Sequence, residues 1–423
     1  VATTAAILVL SRTYTFYFDE WDFIQGAPDW GWNSFLQPHN EHPVMLPRLI
    51  YAVLLSTFGL RTYVPYMLVL MALHGTSALM LFELVRRRAG DLIGIACAAM
   101  LLVLGAGWEN MLWAFQVAFL GSVACGLGML LALDGRRLAF AVALLAASMM
   151  FSGIGLFFGV VAAVRLMLDP RRRREVLWFA PVGLAFAAWY LAFGHSGAAT
   201  VPPPSAANVL LLPLYVGWGL AGSAAGTVGV TGLPTLLALL FALGAIGLAW
   251  WRQRPDALAL SIAAGLLTFY VVTGLTRAQL GYDQAASGRY VYVGAVFWLI
   301  LLADAARRLP WAGTWRPALA ALVFLACFNS SVLLVAYAAG KAAVMQREIA
   351  DLQALAVERS DKCLNPSGAA DPLVMPYITN PALYYHAVDR YGDPTAGLPI
   401  TDRADFDRAR ANLTRSGCTP TYT

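Results

Sequence analysis

Apolar runs long enough to cross a bilayer recur along most of this chain, separated by short polar turns. Runs of about 18 or more apolar residues are the pattern of spanning helices. They lie at 1–13, 64–84, 92–106, 111–133, 138–150, 154–168, 176–193, 233–251, 257–275, 290–306 and 318–337. The expected fold is therefore an all-α polytopic membrane protein with about 11 transmembrane helices. The 138–150 and 154–168 arms are short and meet at Ser152-Gly153, so this pair is expected to be tilted or partly spanning. The chain opens within an apolar stretch that has no initiator Met. We read it as a first membrane helix whose cytoplasmic start lies upstream, rather than as a signal-peptide remnant.

Charge orients these passes. Arg86-Arg87-Arg88, Arg136-Arg137, Arg171 to Arg174, Arg252 with Arg254, and Arg307-Arg308 each follow an apolar run. The positive-inside rule assigns them to the cytoplasmic side. The first loop, 14–63, and the region 338–423 then lie outside. The apolar stretch 44–58 follows His42-Pro43, and if it spanned, every later cluster would change sides. It is expected to lie along the outer interface. The 208–220 stretch follows the Pro202 to Pro204 turn and is read as external, interfacial or re-entrant. In 341–359, Met345, Ile349, Leu352 and Ala356 recur at helical spacing. Beyond Ser360 apolar residues are too few for a large separate core, which predicts a small cap on the 1–337 membrane domain.

Composition agrees: 59% of residues are hydrophobic and only 13% charged, about half the charge of a soluble domain. The net charge of +5 resides in the inter-helix clusters, so it marks membrane topology and not a nucleic-acid surface. Cys97, Cys125 and Cys327 fall inside apolar runs as packing residues. Cys363 and Cys418 lie in the polar tail and are the candidate disulfide if that side is oxidising.

Four polar clusters remain for chemistry. Asp19-Glu20-Trp21-Asp22 places three carboxylates among aromatics just past the first helix, where acidic groups mark function more often than packing. The alternative is an ordinary acidic loop, which has no need of Tyr17, Phe18, Trp21 and Phe23. Pro38-His39-Asn40-Glu41-His42-Pro43 adds two imidazoles and a carboxylate. Asp19, Glu41 and His42 offer ligands for a divalent cation; the alternative is a plain turn ahead of the next helix. Trp108-Glu109-Asn110 with Gln116 offers amides and an aromatic face for a sugar, or an aromatic belt. Arg277 and Arg289, with Tyr290, are external cations suited to phosphate, or else snorkel to lipid headgroups. All four clusters fall on one side under a single topology.

This plan resembles the GT-C superfamily of membrane glycosyltransferases, whose members carry an acidic motif just after the first helix, in a large external loop with interfacial helices. Asp19-Glu20, with Asp22 close behind, matches that motif. Glu41-His42-Pro43-Val44-Met45-Leu46-Pro47 is similar to the Glu-Lys-Pro-Pro-Leu type segment of aminoarabinose- and mannosyl-type members, with His42 in place of Lys. The similarity covers the first ~90 residues and is topological beyond them. It implies a polyprenyl-phosphate sugar donor, a cell-envelope glycan or lipid acceptor, and inverting transfer at the outer face of the plasma membrane. Asp19 would be the base, with Glu20 and Asp22 as alternatives. Arg289, Arg277 and His42 would bind the donor phosphate, and Trp21, Glu41, Trp108, Glu109, Asn110, Gln116 and Tyr290 the substrates. A lipid-linked glycan flippase is the competing class; it predicts repeats and broken helices, and only the Ser152-Gly153 break is visible. A ligase relying on His195 and the Pro202 to Pro204 loop is the closer enzymatic alternative.

Overall fold

The computed structural model describes residues 2–195, 205–232, 234–307, 313–400 and 402–418. The Pro202 to Pro204 turn and Arg308 lie outside them. Among the described residues the chain is all-helical, with two isolated β-bridges and no strand. Eight helices are long and apolar enough to cross a membrane: Val64–Ala89, Ala114–Asp134, Arg173–Ala192, Ala206–Gly226, Thr235–Arg252, Ala257–Leu280, Gly288–Ala306 and Trp315–Glu358. The peripheral ones have apolar, bare outer faces, as lipid contact requires, with Leu191 75% exposed and Phe241 77%, whereas Ala114–Asp134 and Gly288–Ala306 are largely buried within the bundle.

The eight differ from the expected eleven in particular places. Four expected passes are shorter helices: Ala2–Leu10, Asp91–Leu102, Leu138–Phe151 and Gly155–Met167. The 12 residues of Asp91–Leu102 rise only about 18 Å, because the chain leaves the α-helix at Val103 and turns through Gly105–Gly107. The 208–220 stretch belongs to a 21-residue helix, Ala206–Gly226. Its first turn reaches Gln279 through Asn208, and Gly226 at its end packs on Ala106 and Val291. The expected 318–337 pass and the 341–359 tail helix are one 44-residue helix, Trp315–Glu358. At about 66 Å this helix is twice the thickness of a hydrocarbon core, so it carries the chain from the bundle into the C-terminal cap.

The Val64–Ala89 helix connects two chemically distinct ends of the bundle. At its C-terminal end, Arg88 pairs with Asp256 (2.8 Å) and Asp134 (3.5 Å), Arg165 also pairs with Asp134, and Arg307 pairs with Asp304 (2.8 Å). At its N-terminal end stand the first loop and the cap. The loop folds as Glu20–Gly26, Trp32–Leu36 and Met45–Phe58. The cap adds Pro381–Tyr391 and Arg403–Leu413 and is fastened to the loop: Leu60 N–H donates to Tyr391 O (2.9 Å) and Gln25 Nε2 to Tyr377 O (2.8 Å).

Cys363 and Cys418 form a disulfide across a separation of 55 residues. A loop of that length closed in the unfolded chain contributes about 4 kcal/mol in the chain-entropy relation. Cys363→Ser is expected to lose roughly that much cap stability, read as earlier cleavage of the 360–418 region in limited proteolysis. Unchanged protease resistance would refute the role assigned to the bridge.

Candidate functional site

The chain enters the site through a strained residue. Phe18 has φ 53°, a left-handed backbone that costs a bulky side chain about 1–2 kcal/mol. Such strain concentrates at functional positions. Its ring is held edge-on to Trp113 (6.4 Å) and to Tyr377 of the cap (5.2 Å). Just after this turn Asp19 occupies the N-cap of Glu20–Gly26, yet its side chain makes no capping hydrogen bond. Aspartate at this position normally satisfies its own helix. Here the carboxylate lines a pocket instead.

The two acids of the Asp19-Glu20 pair face different surroundings. Glu20 is fully buried; its carboxylate accepts from the Tyr51 hydroxyl (2.6 Å), the Tyr63 hydroxyl (3.0 Å) and Tyr17 N–H (2.9 Å). Burial raises its pKa to about 7, against the lowering pull of these bonds and of Lys341. The Lys341 ammonium lies 3.0 Å from the Tyr17 ring centroid. Trp21 is also buried, donating its indole N–H to Glu348 Oε1 (3.0 Å) and Phe16 O (3.2 Å). Glu20 and Trp21 thus build the wall that carries Asp19 and do not face the pocket.

A two-residue turn supplies the imidazoles. His39 and His42 exchange both backbone hydrogen bonds at 3.1 Å, and Asn40 between them takes φ 51°. Asparagine tolerates this conformation far better than bulkier residues. The turn sets both rings in the pocket wall. His39 Nδ1 lies 3.0 Å from Asp22 Oδ2 and its Nε2 lies 3.6 Å from Asp19 Oδ2. Burial alone would lower the His39 pKa, but the two carboxylates raise it to about 9. His42 goes the other way, down to about 3, through burial first and then the nearby Arg277, His39 and Arg289. It is neutral at physiological pH. A methyl group at Gly153 would sit 2.8 Å from His42 Nδ1, so the Ser152-Gly153 break gives this ring its room.

The far wall comes from the ends of two long helices. Arg277 ends Ala257–Arg277 and Arg289 lies in the first turn of Gly288–Ala306. Arg277 Nη2 pairs with Glu41 Oε2 at 3.0 Å. Arg289 Nε is 3.8 Å from Glu109 Oε2, too far for a hydrogen bond. Glu109 also accepts from Gly288 N–H (2.9 Å), and Asn110 Nδ2 donates to the carbonyls of Gly288 (3.3 Å) and Arg289 (3.1 Å). These two residues fasten the start of the Arg289 helix.

The pocket, about 480 Å³ including its open mouth, is lined by Asp19, His39, His42, Gln116, Arg277, Arg289 and Tyr290, with Ser152, Phe115 and Phe119. Asp19 Oδ1, His39 Nε2, Gln116 Oε1 and Arg289 Nε are buried there without a hydrogen-bond partner. Six of the residues selected from sequence therefore meet: Asp19, His42, Gln116, Arg277, Arg289 and Tyr290. Glu41, Asp22 and Glu109 adjoin it through their partners Arg277, His39 and Arg289. Trp108 does not line it; its ring stacks on Tyr337 at 5.1 Å. Among the described residues no three His, Cys, Asp or Glu side chains are grouped to hold a metal ion, and Glu41 of the proposed cation trio is committed to Arg277. His39, an imidazole of the 38–43 segment that was given no role, lines the pocket, and Tyr377, from no motif, lies beside Asp19. Burial and then the charge of Asp19 hold the Tyr377 phenol protonated.

His39 makes stability depend on pH. Its folded pKa, about 9, exceeds the ordinary 6.5, so the folded state binds the proton more tightly. The stabilisation is complete below about pH 6.5 and is lost as pH rises through about 9. Thermal unfolding of the detergent-solubilised protein should show this fall, and His39→Gln should flatten it; an equal fall in the variant would contradict the assignment.

Comparison with known proteins returns no matching family, no curated relative and no similar solved structure.

Proposed function

We propose that this chain is a membrane glycosyltransferase that moves a sugar from a polyprenyl-phosphate donor to a hydroxyl of a cell-envelope glycan or lipid, with inversion. The observation that carries this reading is the polarity of the pocket: a carboxylate, Asp19, at one wall and two arginines at the other. Such a site fits a reaction in which an acceptor gives up a proton at one end and the donor's phosphate leaves at the other. The Asp19 carboxylate takes the acceptor O–H proton. The acceptor oxygen forms its bond to the anomeric carbon as the bond from that carbon to the phosphate oxygen breaks. The electron pair departs on the polyprenyl phosphate, whose charge Arg289 stabilises. Neutral His42 offers the phosphate a hydrogen bond without a competing charge.

The pocket's position supports the membrane part of the reading. It lies at the end of the bundle opposite Arg88, Arg165 and Arg307. With those arginines cytoplasmic, the pocket and the disulfide-bridged cap face outward, where a disulfide persists. Ala206–Gly226 is one continuous helix with both its ends against pocket-end elements, which fits a helix lying along the outer interface. The short helices Asp91–Leu102, Leu138–Phe151 and Gly155–Met167 would then cross a locally thinned or tilted arrangement.

The test is a transfer assay. Purified protein in vesicles is given a radiolabelled polyprenyl-phosphate sugar and an acceptor extract. Labelled acceptor should accumulate. A protein that carries the intact donor across the bilayer and forms no product is a transporter, and the proposal fails.

A further inference from the structure

We infer that His39 is the positioning residue for Asp19: a ring clamped between two carboxylates, anchored on Asp22 and holding Asp19 in place for transfer. The inference rests on the proposed function for its purpose, but the clamp itself is a structural claim that stands or falls separately.

Three observations carry it. First, each ring nitrogen faces a carboxylate, Nδ1 toward Asp22 at 3.0 Å and Nε2 toward Asp19 at 3.6 Å. Carboxylates accept and do not donate, so Nδ1–H donates to Asp22, while Nε2 faces Asp19 as an ion pair beyond hydrogen-bond reach. Second, the ring cannot turn freely. The Phe23 ring stands edge-on at 5.6 Å and the Phe115 ring at 5.0 Å, and its side chain is only 7% exposed. Third, the carboxylates differ in their freedom. Asp22 is 48% exposed at its side chain, whereas Asp19 is 9% exposed and has one oxygen with no hydrogen-bond partner. Asp22 is the anchor open to water; Asp19 is the end that must be aimed.

Among the described residues, the surroundings leave His39 as the one cation placed to aim it from this wall. Arg48, from Met45–Phe58, turns away to the carbonyls of Ser34, Gln37 and Pro38. His42 shares the turn but is neutral. Arg277 and Arg289 occupy the far wall, and the Tyr377 ring of the cap lies 6.4 Å from the His39 ring. The clamp also explains Asn40: only a tight turn brings His39 beside residues 19 and 22, seventeen to twenty positions earlier in the chain. When Asp19 accepts the acceptor proton, His39 transfers nothing; it holds the carboxylate's direction.

The test uses the full chain in nanodiscs with His39→Gln, Asp22→Asn, and the double variant. Thermal unfolding is read first because it needs no activity. The clamp predicts that the double variant unfolds at about the same temperature as His39→Gln, since Asp22 acts through His39. Additive losses would overturn the clamp. Transfer is read second. His39→Gln and Asp22→Asn should each lower kcat about tenfold or more with donor KM within about twofold, and the double variant should be no slower than His39→Gln. Added imidazole should restore part of the rate to His39→Ala. If the unfolding cycle is non-additive while the wild type transfers no sugar, the Asp22–His39 anchor holds and the proposed function fails. If transfer occurs and the variants raise KM instead of lowering kcat, the positioning role is overturned.

Discussion

Asp19→Asn is expected to lower the rate of sugar transfer by about 10²–10⁴-fold, the usual contribution of a general base. The change keeps the size and shape of the side chain and removes only its capacity to take a proton. It should not unfold the protein. Asp19 caps no helix and one of its oxygens has no partner, so a neutral amide relieves a buried charge at the cost of one contact 3.6 Å from His39. Initial rates and unfolding temperature measured on the same preparation separate these effects. The comparison with Glu20→Gln sharpens the result. Glu20 is held by two tyrosine hydroxyls and faces away from the pocket, so Glu20→Gln should cost stability before it costs chemistry. A variant order with Glu20 as the residue essential for turnover would move the base to the wrong side of the wall.

Arg289→Gln is expected to lower kcat by about 10²–10³-fold, the effect of removing one preorganised donor from a site of developing negative charge. Geometry distinguishes it from Arg277. Arg277 is already matched by Glu41 at 3.0 Å, while Arg289 meets Glu109 only at 3.8 Å and keeps a buried Nε with no partner. The less committed guanidinium is the one able to take a leaving phosphate. Its charge matters most as the bond to phosphate breaks, so kcat should fall more than donor KM rises. Arg289→Lys should recover part of the rate as a point charge without the paired hydrogen bonds. Arg277→Gln should do less to kcat. A larger loss at Arg277 than at Arg289 would reverse the assignment of the two arginines.

Much of this site was legible in the chain because it is built at helix ends. Once the arginine clusters sorted the passes into two sides, Asp19, His42, Gln116, Arg277, Arg289 and Tyr290 fell together, and the structure brings them into one pocket. What hydropathy and charge do not carry is direction. Asp19 and Glu20 are identical to a charge count; the left-handed turn at Phe18 sends one into the pocket and the other into a tyrosine cage. Trp21 and Trp108 have the composition of sugar platforms, but their rings are spent on Glu348 and Tyr337. His39 needed the Asn40 turn to be recognised, and Tyr377 comes from the cap, more than 350 residues beyond Asp19. In the fold, the expected pass ends at residue 337, shortly before Gly340 and Lys341 interrupt the apolar run. The Lys341 ammonium is instead stacked on Tyr17, and the helix continues through it to Glu358.

The most direct measurement of the central claim is a doubly labelled donor. Purified protein in vesicles is supplied with a polyprenyl-phosphate sugar carrying one label in the sugar and another in the lipid, together with an envelope acceptor extract. The account predicts that sugar label appears on the acceptor as an equal amount of sugar-free polyprenyl phosphate is formed, and that Asp19→Asn slows both together by about 10²–10⁴-fold. Both labels moving together across the bilayer, with no polyprenyl phosphate released, would contradict it.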